Sequence, residues 1–228
     1  MINKICGAAA LTAVLAVSGC ATKMDMPYSK DEPKPDPAKA VYLMTVTIKN
    51  SYHTNFQPDM LVLDVDKGTV ASKQDRIDFE IDDDGKDETD AEDTGNTYYA
   101  RIELPPGDYV IRGVTCMSRH FPIVASFFMP LQEKLTVSAA GVYYLGHADG
   151  VVRERKGSEF KAGPTLPLID QGVAGASGGT FDVAISDQWD KDATQFTTRF
   201  PALQGVNVQK DIMAPFDRAY AQKWWEAN

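Results

Sequence analysis

The densest set of potential ligands lies between positions 78 and 93. It comprises Asp78, Glu80, Asp82, Asp83, Asp84, Asp87, Glu88, Asp90, Glu92 and Asp93, opposed only by Lys86. Calcium is held by many hard oxygens on a flexible loop, so Asp82, Asp84, Glu88 and Asp90 are the candidate metal ligands. In the frame of a helix-flanked calcium loop, Glu80, Asp82 and Asp84 take the first, third and fifth positions, and Gly85 takes the glycine. The closing bidentate position then falls on Ala91, with Glu92 one place late. The segment leading in, residues 76–81, alternates as a strand does, where such a loop wants a helix. Two readings stand: a calcium site of looser type, and a solvated acidic hairpin loop held open by repulsion.

Other constellations are thinner. Residues 175–179 spell the G-x-S-x-G string around Ser177, but that chemistry needs a strand-to-helix turn and a downstream histidine. Here a strand pattern, 181–185, follows, and no histidine occurs after His147. His53, His120 and His147 are dispersed. Cys116 and His120 are four apart, with no second close ligand pair to complete a zinc site. No phosphate-cradling glycine loop, dinucleotide fingerprint or basic stripe is present. The residues therefore single out no catalytic site, and an enzyme of unknown class ranks behind a non-catalytic binding role.

The elements that must position these groups are mostly strands. Period-two runs rich in β-branched and aromatic residues occur at 41–48, 60–65, 76–81, 98–104 and 109–114. Further short strands are expected at 123–128, 134–137, 142–145, 151–155 and 181–185, the third and fourth of these pairing through a turn at Asp149-Gly150. Short links favour antiparallel pairing and a β-sandwich over residues 40–203. A short helix is expected from Ser186 or Asp187, either serving as N-cap. A second is expected over 214–228, where Phe216, Ala219, Tyr220 and Trp224 recur at helical spacing. That stripe suits docking on the protein's own core, or on a membrane surface or partner. The extension carrying it runs from 204 to 228.

The N-terminal end has a different character. Lys4 is followed by an apolar run, 5–17, shorter than the roughly 20 residues that span a bilayer as a helix. Then comes Val17-Ser18-Gly19-Cys20, which resembles the lipobox of bacterial lipoproteins. The resemblance implies a signal peptide over 1–19, cleavage before Cys20, and a diacylglycerol on the Cys20 thiol, often with a further acyl chain such as palmitate on the new amine. Two or three chains make a lasting anchor where one does not. Ala21 is not the aspartate that retains Gram-negative lipoproteins in the inner membrane, so the resemblance implies the outer membrane. Residues 20–39 then read as a tether, with Pro27, Pro33, Pro35 and Pro37 among charges. In extended polyproline geometry it reaches about 60 Å.

Leu104-Pro105-Pro106-Gly107-Asp108-Tyr109 resembles the proline-glycine-x-tyrosine hairpin of immunoglobulin-like and transthyretin-like sandwiches. With Gly141 to Gly146, Ile185-Ser186-Asp187, Asp190, Asp192, Phe196 and Pro201, the stretch 100–203 is similar to uncharacterised β-sandwich bacterial lipoproteins. That likeness carries over no catalytic residue. The fold expected is mainly β, an antiparallel immunoglobulin-like or transthyretin-like sandwich with a C-terminal helix. The chain of 228 residues has net charge −9, and cleavage removes only Lys4 from its charges. Such a surface does not suit nucleic acid. Cys116 is the only cysteine left beside Cys20, so it reads as a buried apolar residue. The function expected is a lipid-anchored, non-catalytic envelope module with an envelope protein partner. The alternative is a calcium- or ligand-dependent binding protein using loop 82–93.

Overall fold

The computed structural model describes residues 21–29, 35–70, 72–91, 93–164 and 169–227. Eleven strands and three helices are formed among them: β1 (Thr22–Asp25), β2 (Ala40–Asn50), β3 (Asp59–Lys67), β4 (Arg76–Glu80), β5 (Lys86–Asp87), β6 (Asn96–Leu104), β7 (Gly107–His120), β8 (Ile123–Val137), β9 (Gly141–Glu154), α1 (Ile169–Val173), β10 (Gly179–Ser186), α2 (Trp189–Arg199), β11 (Val208–Lys210) and α3 (Arg218–Ala227). The first sheet has the order β1-β4-β3-β7-β8, and the second β10-β9-β2-β6-β5, with β11 continuing beside β9.

Period two explains how the sheets meet. Tyr42, Met44, Val46 and Ile48 of β2 and Tyr98, Ala100 and Ile102 of β6 point inward. They share one core with Leu63, Val65, Phe79, Ile111 and Val114 of the other sheet. The outward residues of the second sheet, Val41, Leu43, Tyr99 and Tyr144, are apolar too. They are covered by Phe196 and Phe200 of α2 and its C-terminal end. A strand buried on both faces loses its alternation, which is why β2 reads as nearly continuous apolar sequence.

The chain is β-rich as expected, but both sheets are mixed. β1 runs parallel to β4, and β2 and β11 run parallel to β9. The argument from short links applies to neighbours in sequence. The β2–β9 pair joins strands about a hundred residues apart, so it escapes that constraint. The expected strands at 123–128 and 134–137 are one strand, β8, with an irregularity opposite Ile111 and Gly113 and a left-handed Gln132 (φ 57°). Those at 142–145 and 151–155 are also one strand, β9, and Asp149-Gly150 makes no turn. Gly150 is there because Met129 packs on its Cα; a Cβ would lie 2.0 Å from the sulfur.

Part of the expected tether docks on the body, and its residues 20 and 30–34 lie outside the described residues. Residues 22–25 form β1 in register with β4, Thr22 opposite Ile77 and Asp25 opposite Glu80. Met26 and Tyr28 are buried. The fully buried Arg101 holds this segment: its Nε donates to the Pro27 carbonyl at 2.7 Å, and its guanidinium lies 3.8 Å from the Phe200 ring centroid. Proline content alone does not keep a segment off a surface when Met26 and Tyr28 have a core to enter.

The helices also depart from their expected frames. α2 begins at Trp189 after Gln188, and Asp187 contributes by accepting from the Trp189 N–H at 3.1 Å. α3 begins at Arg218, later than expected, which shifts its inner face. Ala221 is buried, Trp225 packs on the core and Trp224 stacks on Phe128, whereas Ala219 and Tyr220 are exposed. No helix of the described residues is long and apolar enough to cross a membrane.

Candidate functional site

A cleft of about 250 Å³ opens at one end of the two sheets. It is lined by Thr54, Asn55, Gln57, Asp59, Asp90, Ser118, Arg119 and His120. Two buried asparagines build its walls. Asn50, closing β2, accepts from the Tyr52 and His53 N–H groups at 3.2 and 2.9 Å. Its amide donates to the carbonyls of Phe56 and Ala174. Gln57 accepts from the Asn50 N–H at 2.9 Å and donates to the Thr54 carbonyl at 2.7 Å, so the loop 51–57 is fixed by side-chain caps. Asn96, opening β6, accepts from the Thr89 and Asp90 N–H groups and donates to Asp59 and Asp90 at 3.0 and 3.1 Å.

The cleft is electrostatically uneven. Burial, then the neighbouring Glu88 and Asp90 charges, push the Asp59 carboxyl up to about 6, against the pull of Arg119 and Lys86. Ser118 sits on the inward face of β7 and is buried. Arg119 and His120 form an exposed lip, with the His120 ring edge-on to Phe56 at 5.7 Å. Beyond them, at the β7–β8 tip, Phe121 is 98% exposed. Val124, Ile169 and Val173 are exposed too, and the Val124 N–H donates to Asp170 of α1. A polar cleft thus adjoins an exposed apolar tip.

The residues expected from the acidic run are divided. Asp82 caps the turn 83–85, accepting from the Gly85 N–H at 2.9 Å, and pairs with Arg101. Arg199 donates to the Asp84 carbonyl and pairs with Asp87. Glu88 accepts from the buried Tyr98 hydroxyl at 3.1 Å, and Asp90 is held by Asn96. Among the described residues no group of three or more histidine, cysteine or acidic side chains stands where it would hold a metal ion. Asp82, Asp84, Glu88 and Asp90 are therefore not brought together as a calcium ring. Asp90 instead lines the cleft with Asp59. Cys20 lies outside the described residues.

Ser177 occupies the turn between α1 and β10, its N–H donating to the Gln171 carbonyl, and a strand follows it. Cys116 is buried in the core, where burial raises its thiol pKa well above the ordinary value.

Sequence reasoning missed a buried network on the outer face of the second sheet. His147 Nδ1 lies 3.2 Å from Asp192 Oδ2, and His147 Nε2 lies 2.9 Å from Thr47 Oγ1. The Tyr144 hydroxyl donates to Asp192 at 2.6 Å, and Asp149 stands 3.4 Å from His147. The order hydroxyl, imidazole, carboxylate is that of a nucleophilic triad. Burial lowers the His147 pKa, but Asp149 and Asp192 outweigh it and push the imidazole up to about 9. Through Asp192, which meets both Tyr144 and His147, the network ties α2 to the sheet. One signal was available: Asp192 lies between Trp189 and Phe196 on the face that α2 buries.

A second polar group, Asp64, Asp66 and Asp78 around Arg112, lies on the outer face of the first sheet. Burial pushes Asp64 up to about 6, with Thr115 and Arg112 opposing.

No family model matches the chain, and no curated protein matches it. Among solved structures the chain is similar to part of a leucine-rich repeat protein from Bacteroides thetaiotaomicron VPI-5482. The identity is 10% and the TM-score 0.31, over 48% of this chain and 13% of that one. Similarity at this level carries no inference about function.

Proposed function

We propose that this protein is a non-catalytic interaction module of the cell envelope. It is lipid-anchored to the outer membrane through Cys20 and presents the cleft end of its domain to an envelope protein partner. One observation carries the reading. Thr22, two residues after Cys20, is level with Ile77, and through β4 and β3 with Val65 and Ile111. Phe121 lies ten residues further along β7–β8, or about 33 Å at strand spacing. The cleft and its apolar tip are thus at the end of the first sheet remote from the anchor side. The docking of β1 and the burial of Met26 further support a domain held close to the bilayer by its anchored end.

The chemistry of the cleft suits a partner segment carrying a basic group, with Asp59 and Asp90 as acceptors. In this reading loop 82–93 contributes Asp90 to the binding surface without calcium. The two facing sheets are read as a divergent relative of the immunoglobulin-like or transthyretin-like sandwiches. The Tyr109 hydroxyl, which donates to the Pro105 carbonyl at 3.0 Å, supports this.

The test is photo-crosslinking in intact envelopes from positions 119 and 121, with position 23 on β1 as the anchor-side control and Cys20→Ala as the mislocalised control. A defined protein crosslinked from 119 and 121, but not from 23 or in the Cys20→Ala chain, is the expected result. Equal labelling from all positions overturns the proposal.

A further inference from the structure

A second cavity, independent of the cleft, lies on the outer face of the first sheet beside α3. It has a volume of about 380 Å³ and is lined by Thr115, Ser126, Phe128, Lys161, Trp224 and Trp225, among others. Its walls are flat. Phe128 and Trp224 are stacked, with ring centroids 5.6 Å apart and planes 30° from parallel. Trp225 is anchored against the core. Such walls accept a planar apolar body, and the volume is within the range of small-molecule sites, roughly 300–1,000 Å³.

The charge on this cavity is the more specific feature. Lys161 is its one lining cation, and it is half-buried. In a chain of net charge −9, no carboxylate is paired with Lys161 among the described residues. Glu159, two residues before Lys161, is already engaged elsewhere: Arg153 of β9 pairs with it at 2.7 Å, and Arg218 of α3 lies between Glu159 and Asp182. An unpaired ammonium at the edge of an aromatic wall is complementary to one ligand class. We propose that this cavity binds a small amphipathic anion, a planar aromatic carboxylate whose ring lies along Trp224 and Phe128 and whose carboxylate meets Lys161. The Thr115 hydroxyl already donates to Asp64 at 2.7 Å, so it offers no donor to a carboxylate. Ser126 stands on the same strand face as Phe128 and supplies a hydroxyl donor.

Calorimetric titration of the full chain with 2-naphthoate and with the neutral 2-naphthylmethanol tests this. The expected result is saturable binding of naphthoate at least tenfold tighter than the alcohol. Lys161→Gln should reduce naphthoate affinity about tenfold and leave the alcohol unchanged. Trp224→Leu should weaken both; since Trp224 packs on β8, its melting temperature is checked in parallel. Lys161→Gln removes the charge and keeps much of the side-chain stem, so it remains decisive if Trp224→Leu fails to fold. Absence of naphthoate binding at millimolar concentration, or a Lys161→Gln chain that binds it unchanged, overturns the proposal. Equal binding of acid and alcohol also overturns it, and would mark the cavity as an aromatic platform for neutral rings.

Discussion

Arg101 Nε donates to the carbonyl oxygen of Pro27 at 2.7 Å, joining two residues 74 positions apart inside the body of the domain. The same guanidinium pairs with Asp82 and donates to the Tyr99 carbonyl at 2.9 Å. One buried side chain therefore fixes the N-terminal segment and the start of the acidic loop together.

Asp82→Ala should cost about 3–5 kcal/mol, because it leaves the buried Arg101 charge without its partner. Arg101→Met in the same chain should recover much of that loss, since no buried charge then remains. Urea denaturation of the two single variants and the double variant measures the coupling. Arg101→Met alone should raise amide hydrogen exchange across residues 22–28.

The pH dependence of stability follows from His147, Asp59 and Asp64. The His147 pKa is raised in the folded protein to about 9, from 6.5 unfolded. Its contribution is complete below pH 6.5 and is lost as pH rises through 9. Asp59 and Asp64 are raised to about 6 from 3.8, so the folded state is favoured at low pH and loses ground between 3.8 and 6. Stability should therefore fall from about pH 4 to pH 9, the upper limb by as much as about 3 kcal/mol. His147→Gln should flatten the limb between 6.5 and 9 and leave the lower one. Denaturation midpoints at pH 5, 7 and 9 measure both.

Asp59→Asn should raise stability at pH 7.5 by about 1 kcal/mol, because it removes a carboxylate that burial disfavours while the amide oxygen still accepts from Asn96. The same substitution should abolish crosslinking of a partner from position 119. Gain in stability with loss of binding marks a residue kept for function. A neutral effect on crosslinking would make Asp59 structural.

Calcium titration by calorimetry should give no heat up to millimolar concentration. Asp82 is engaged by Arg101, Glu88 by Tyr98 and Asp90 by Asn96, so gathering them on one ion would break three existing contacts. Saturable heat that vanishes in Asp90→Asn would restore the calcium reading.

Much of the β-strand content was legible because inward and outward residues alternate, as Ile77, Phe79 and Ile81 do with Asp78 and Glu80. The Thr47–His147–Asp192 array was not. Period two puts Tyr144 and His147 on opposite faces of β9. A register shift against β2 between Leu43 and Thr45, with Gly146 at φ 107°, turns both toward α2. A bulge of this kind depends on the partner strand, and so has no signature in local periodicity.

Local sequence marks most of the longer strands of this chain, because side-chain alternation over a few residues shows there, but not β1, β11 or the continuity of β8 and β9. The acidic and proline-rich compositions are equally local facts, but their meaning was not. Tertiary structure decided that Met26 and Tyr28 dock, that Asp82 answers Arg101, and that Asp59, Asp90 and Ser118 share one cleft. Each joins residues 19 to 75 positions apart. Contacts at that separation form only when β-strand register brings them together, and register is set by the packing of the whole core.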